Sequence, residues 1–174
     1  MTAQRQERNG VRSGKEFRRG IAFILLLAGL GSQACPQFAA RAATTERVVV
    51  NRYSGLAIEG FDPVAYFVDA RPLVGLPDFE APKAGAVWRF RNEGNRASFV
   101  AHPDIYGPQF GGYNPINLAR GVTFAGNPRF WLISGRRLYL FGLEENRDAF
   151  AAAPERFLRQ AKLRWPALEQ GLPQ

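Results

Sequence analysis

The residues able to act on a ligand fall in two short segments. Asp62 and Tyr66 lie in one, and Gly111, Gly112, Tyr113 and Asn114 in the other. Two adjacent glycines let backbone approach a bound group closely, and Tyr and Asn add a ring and hydrogen-bonding groups. The same four residues also suit a tight loop between elements. Asp62-Pro63 reads as a turn whose carboxylate accepts a nearby backbone N–H. With Glu59 it reads alternatively as part of a hard-cation site, although two carboxylates do not make a calcium cage. His102, the only histidine, has no partner at metal-ligand spacing and reads as an exposed residue at a helix end. Acid–base catalysis through Asp62, His102 and Tyr113 requires these groups to converge within hydrogen-bond reach. The chain has no phosphate-binding glycine pattern, metalloprotease helix or nucleophile elbow.

Charge narrows the classes of partner. The net +8 is concentrated early: residues 1–42 hold seven Lys/Arg and two Asp/Glu, leaving sixteen against thirteen in the other 132. The later part is near neutral and has no long basic run to follow a phosphate backbone, which argues against nucleic acid. Residues 1–20 are polar and basic, and Ile21 to Leu30 is an uncharged, mostly aliphatic run. That run is too short to span a bilayer and has the pattern of a secretory signal. Small residues in Ala40-Arg41-Ala42 place the expected cleavage before Ala43, and Arg18-Arg19 permits twin-arginine export. The expected location is periplasmic or secreted, with membrane attachment only through an uncleaved leader. Cys35 is the only cysteine and forms no internal disulfide. Cleavage at the expected point leaves no thiol, and hence no cysteine-based metal site, in the mature domain. No cofactor is specified.

The elements that must position the two segments repeat. Residues 75–109 against 126–160, an offset of 51, share eleven identities in 35 ungapped positions, where chance gives roughly two or three. The matches include Gly75-x-Pro77-x-Phe79, Phe90, Glu93, Asn95-Arg96, Phe99, Ala101, Pro103 and Gln109. Each copy reads as a hairpin, with turns near Lys83-Ala84-Gly85 and Ser134-Gly135-Arg136. A helix follows, near Glu93–Ala101 and Glu144–Ala152, capped in the first copy by Asn92. Pro103 and Pro154 stop these helices and start second ones. The second helix is cut short by Gly107-Pro108 in copy one and runs to about Arg164 in copy two. There Phe157, Ala161 and Trp165 share one face. The repeated Phe and Trp/Tyr positions read as core, and the Asn-Arg pairs as hydrogen-bonding links between helix and hairpin. The expectation is one small α+β domain of two β-hairpin–helix units, preceded by a signal segment. The expected boundaries are 1–42 leader, 43–57 extension, 58–166 domain and 167–174 tail. The segments Ile58–Phe67 and Gly111–Asn114 fall outside this ungapped repeat, so function is expected there.

Ile58-Glu59-Gly60-Phe61-Asp62-Pro63-Val64-Ala65-Tyr66-Phe67 and Tyr106-Gly107-Pro108-Gln109-Phe110-Gly111-Gly112-Tyr113 bracket Asn95-Arg96-x-x-Phe99 and Pro103. In order and spacing these motifs resemble the exported YHS-domain family over about residues 50–166. The resemblance implies kinship with small metal-binding modules of exported and metal-handling proteins. The family's cysteine after Gly-Gly-Tyr, a selenocysteine in some members, is replaced here by Asn114, with Pro115 next. Asn is no such nucleophile and a poor transition-metal ligand. Three readings follow. The first is an exported binding module for a small molecule, metal or protein, with Asp62, Tyr66, Gly111, Gly112, Tyr113 and Asn114 as candidate ligand residues. The second is an exported redox or hydrolytic enzyme. The third is a degenerate family member kept as an interaction domain, which an exposed apolar patch at the lost cysteine site would favour.

Overall fold

The structure is a computed structural model describing residues 47–172. The expected leader, its cleavage point and Cys35 lie outside the described residues. The first copy holds a 3-10 turn (Ile58–Gly60), α1 (Ala65–Val68), β1 (Leu76–Lys83), β2 (Ala86–Phe90), α2 (Glu93–Ala101) and α3 (Pro103–Tyr106). The second holds a 3-10 turn (Gln109–Gly112), α4 (Pro115–Ala119), β3 (Asn127–Ser134), β4 (Arg137–Phe141), α5 (Glu144–Ala152) and α6 (Pro154–Gln170). The α+β class is as expected. Both sheets are two-stranded antiparallel hairpins. Their two-residue turns, Ala84-Gly85 and Gly135-Arg136, have positive φ throughout, the hand that matches strand twist. Each hairpin breaks register at the same place, between Leu76 and Glu80 or between Asn127 and Trp131.

The duplication reaches further than the ungapped comparison indicates. Asp62-Pro63-Val64 and Asn114-Pro115-Ile116 open equivalent short helices. The Asp62 N–H donates to Leu73 O and the Asn114 N–H to Phe124 O. Gly75 N–H reaches Gly60 O, as Gly126 N–H reaches Gly112 O. The bridges Phe61–Val74 and Tyr113–Ala125 complete the match. The offset here is 52, because the loop leading to the hairpin is one residue shorter in copy two. The two segments expected to be unique are therefore counterparts of each other.

Packing explains where the copies differ. Strand β4 is buried on both faces, with alternate residues pointing to opposite sides. Leu138 and Leu140 join Ile58, Phe61, Val64 and Tyr66 of copy one. Tyr139 and Phe141 join Ile116, Phe150 and Leu158 of copy two. In β2 the places of Leu138 and Leu140 are taken by Val87 and Arg89, both only half-buried. The cross-strand pair Trp131–Leu140 corresponds to Glu80–Arg89, an ion pair at 2.7 Å. The same position is apolar where the other copy covers it and charged where no second copy does, the logic of a polar terminal repeat.

The second copy needs its own cover. Leu118 holds the place of Tyr66, and it packs with Tyr113, Ala161 and Leu172 alongside Trp165 and Leu168. Helix α6 supplies this cover by running past the expected end near Arg164, through Pro166, to Gln170. The segment expected to be a tail thus begins inside a helix, and Leu172 is buried. The apolar face that Trp165, Leu168 and Leu172 share outweighs the backbone hydrogen bond lost at Pro166.

Two-sided burial of β4 sets an expected contrast in stability. Leu140→Ala should cost about 3 kcal/mol, as a core leucine does. Arg89→Ala at the matching place should cost less than about 1 kcal/mol, as an exposed ion pair does. Urea denaturation of both variants reads the difference, and equal losses would refute this account.

Candidate functional site

Asp62 has no exposed surface. Its Oδ1 accepts the N–H groups of Val64 at 2.8 Å and Ala65 at 3.3 Å. Its Oδ2 accepts the N–H of Arg91 at 2.8 Å and the Nδ2 of Asn95 at 2.6 Å. Four donors converge on one carboxylate, so both oxygens must be acceptors, a demand Asp meets and Asn does not. The carboxylate binds α1, the end of β2 and α2 together, and none of its capacity faces a ligand. Asn95 thereby links its helix to the Asp62 loop rather than to the hairpin side chains. Its neighbour Arg96 pairs with Glu93, and Arg147 with Glu144 and Asp148, all on the helix surface.

Asn114 does the equivalent work with a different pattern of partners. Also fully buried, it caps α4 by accepting the Ile116 N–H at 3.1 Å, while its Nδ2 donates to Asn117 Oδ1 at 2.7 Å. One accepted and one donated bond call for an amide, the physical reason for Asn in one copy and Asp in the other.

The glycines serve the chain itself. Gly111 has φ 61°, and a Cβ added there would stand 1.9 Å from the carbonyl oxygen of Arg47. The close approach that glycine allows is occupied by the protein's own backbone, fixed by the Val49 N–H donating to Gly111 O at 2.8 Å. The counterpart in copy one is Glu59, which adopts nearly the same left-handed conformation with its side chain exposed. Space, and not φ alone, therefore demands the glycine. Gly112 is likewise buried, against Ile58, Val49 and Leu140.

Tyr66 is buried in the contact between copies. Its hydroxyl donates to Pro128 O at 2.8 Å, and its ring meets Trp131 edge-on at 5.2 Å. Burial, reinforced by the negative charges of Asp62 and Glu59 and opposed by Arg129, pushes its pKa far above the ordinary phenol value. The neutral phenol is favoured, which makes it a poor base at physiological pH, and its proton is already donated in the hydrogen bond to Pro128 O. Tyr113 is buried beside Trp165, ring centroids 5.8 Å apart. His102 is exposed and joins α2 to α3 through its backbone. The buried Asp62 and the exposed His102 share no partner, so the convergence that catalysis requires is not formed by this pair. Among the described residues no group of three or more His, Cys, Asp or Glu is placed to hold a metal ion. None of their helices is long and apolar enough to cross a membrane.

The surface beside Asn114 holds a feature missed in the sequence. Phe124, whose carbonyl accepts the Asn114 N–H, is 52% exposed, and Val122 and Leu143 are 53% and 57% exposed. The Phe124 ring lies so close over Gly142, the residue before Leu143, that a Cβ there would come within 2.5 Å of it. The counterparts in copy one are Arg71, Leu73 and Asn92. Asn92 caps α2 by accepting the Asn95 N–H at 2.8 Å, whereas Leu143 in the same position gives α5 no side-chain cap. The signal was readable: a leucine aligns with a capping asparagine in the 51-residue offset.

Comparison with protein-family models, curated proteins and solved structures finds no match.

Two substitutions check the structural assignment of these groups. Asp62→Asn should lower stability by about 3 kcal/mol, because an amide N–H would face donors in a buried site. Asn114→Asp should cost only about 1 kcal/mol, since Asn117 can turn its own amide to donate. Chemical denaturation distinguishes the two, and a neutral Asp62→Asn would sink the four-donor assignment. Gly111→Ala should cost roughly 3 kcal/mol through overpacking against Arg47, read as a drop in melting temperature.

Proposed function

We propose that the chain is an exported YHS-like binding module without catalytic activity, and that it meets a protein partner through the apolar surface of Val122, Phe124 and Leu143. Export is supported by the basic stretch and apolar run of residues 1–30, and the family by the order and spacing of its motifs. The observation that carries the protein-binding reading is the pairing of Leu143 with Asn92. The fold is satisfied by a capping asparagine at this position, and omitting such a cap typically costs about 1 kcal/mol. Copy two gives up that stabilisation and exposes a leucine next to an exposed phenylalanine and valine. Apolar side chains gathered at the surface mark interaction sites, and aromatic residues are favoured anchors. The patch adjoins Asn114, where the family has its cysteine, so this member exchanges a reactive side chain for a contact surface.

The reading makes an unusual pair of expectations. Leu143→Asn should raise stability by about 1 kcal/mol by restoring the cap, and should weaken partner association together with Phe124→Ser. Quantitative affinity capture from the exporting host, comparing wild type with the double variant, reads the second effect. A discrete partner held by wild type and lost by the double variant is expected. The same proteins retained by both would overturn the proposal.

A further inference from the structure

The second copy differs from the first at one more surface position, the tip of its hairpin. The first copy turns through Ala84 and Gly85 into Ala86, and the second through Gly135 and Arg136 into Arg137. Arg136 has φ 59° where its counterpart Gly85 has φ 77°. Each turn holds one non-glycine residue at positive φ, Ala84 in the first copy and Arg136 in the second, and the second places a long charged side chain there. Two arginines thus stand where the fold is satisfied by glycine and alanine.

Arg137 lines a cleft beside the first copy's broken helix, and both arginines line a neighbouring one. Helix α3 stops at Gly107, and Pro108 bridges to Leu138 of β4, whereas the corresponding α6 continues. Beside this break lies a cleft of about 310 Å³ whose walls include Asp104, Gln109, Phe110 and Arg137. A second cleft of about 240 Å³ is lined by Ile105, Gly135, Arg136 and Arg137. Arg137 faces both, and its Nη1 donates to the Asp104 carbonyl, which holds the guanidinium in place. Among the described residues neither arginine has a carboxylate within ion-pair distance. Asp104 is the one carboxylate among the lining residues, and Gln109 adds an amide.

We infer that the two clefts, which share Arg137, bind a small molecule with an oxyanion head, a phosphate or carboxylate, on a short apolar body. The guanidinium forks of Arg136 and Arg137 match the geometry of either head group. Ile105 and Phe110 offer contact to the apolar body, and Asp104 with Gln109 can accept a hydroxyl on it. The site is separate from the Val122–Phe124–Leu143 surface and stands or falls independently of it.

Calorimetric titration of the full chain with phenyl phosphate, inorganic phosphate, benzoate and neutral benzamide tests the inference. Phenyl phosphate or benzoate should bind, benzamide should not, and binding should weaken as salt rises. Arg136→Gly with Arg137→Ala puts the first copy's glycine and alanine at the two arginine positions, so the fold is expected to survive. That double variant should lose roughly tenfold or more in affinity. Arg137→Gln carries the same test should the double variant fail to fold. Phosphate and benzoate heads bound no better than benzamide, or affinity unchanged in the variants, would overturn the assignment.

Discussion

The structure depends on a strand that must be buried on both faces. Leu138, Tyr139, Leu140 and Phe141 run consecutively through β4, and none is more than slightly exposed. A hairpin carrying such a strand cannot stand at the surface of a single hairpin–helix unit, because helices α5 and α6 cover only the Tyr139 and Phe141 side. The first copy covers the other. One small α+β domain, rather than two modules joined by a linker, is the result. The Tyr66 hydroxyl on Pro128 and the Tyr66–Trp131 contact lie in this shared layer.

The duplication acts as an internal control on what each residue is for. Where the copies agree, as at Phe90/Phe141 and Phe99/Phe150, each pair of rings packs within its own copy at 5.2 Å. Where they differ, the reason is local. Glu80–Arg89 against Trp131–Leu140 follows from cover. Asp62 against Asn114 follows from the number of donors to be met, and Glu59 against Gly111 follows from the passage of Arg47. Differences at the surface without such a cause, Leu143 for Asn92 and Arg136-Arg137 for Gly85-Ala86, are the ones the architecture does not require.

Local signals were legible in the sequence and cross-copy signals were not. Helices α2 and α5, both hairpins and the early stop at Gly107-Pro108 follow from turn chemistry, proline and periodicity, which act over a few residues. The extension of α6 depends on what Leu118 needs as cover, and no local pattern carries that. The relation between Asp62 and Asn114 was hidden by a single-residue change in loop length, which an ungapped offset cannot follow. The candidate ligand groups were chosen for their chemistry, yet a buried network uses the same groups for structure. Only the count of donors around Asp62 and the 1.9 Å approach at Gly111 tell the two uses apart.

The contact of Val49 with the cluster that contains Leu172 bears on how the polypeptide comes to be folded. Residues from the beginning and the end of the described chain meet in one place, with Val49 also hydrogen-bonded to Gly111 and Ile58. Such a closure has high sequence separation and carries a loop-entropy cost before it is rewarded. The core is therefore completed only once the segment around Leu172 has reached the segment around Val49. The segments around Val49 and Leu172, the two limits of the described residues, are near enough to be joined and the chain reopened elsewhere.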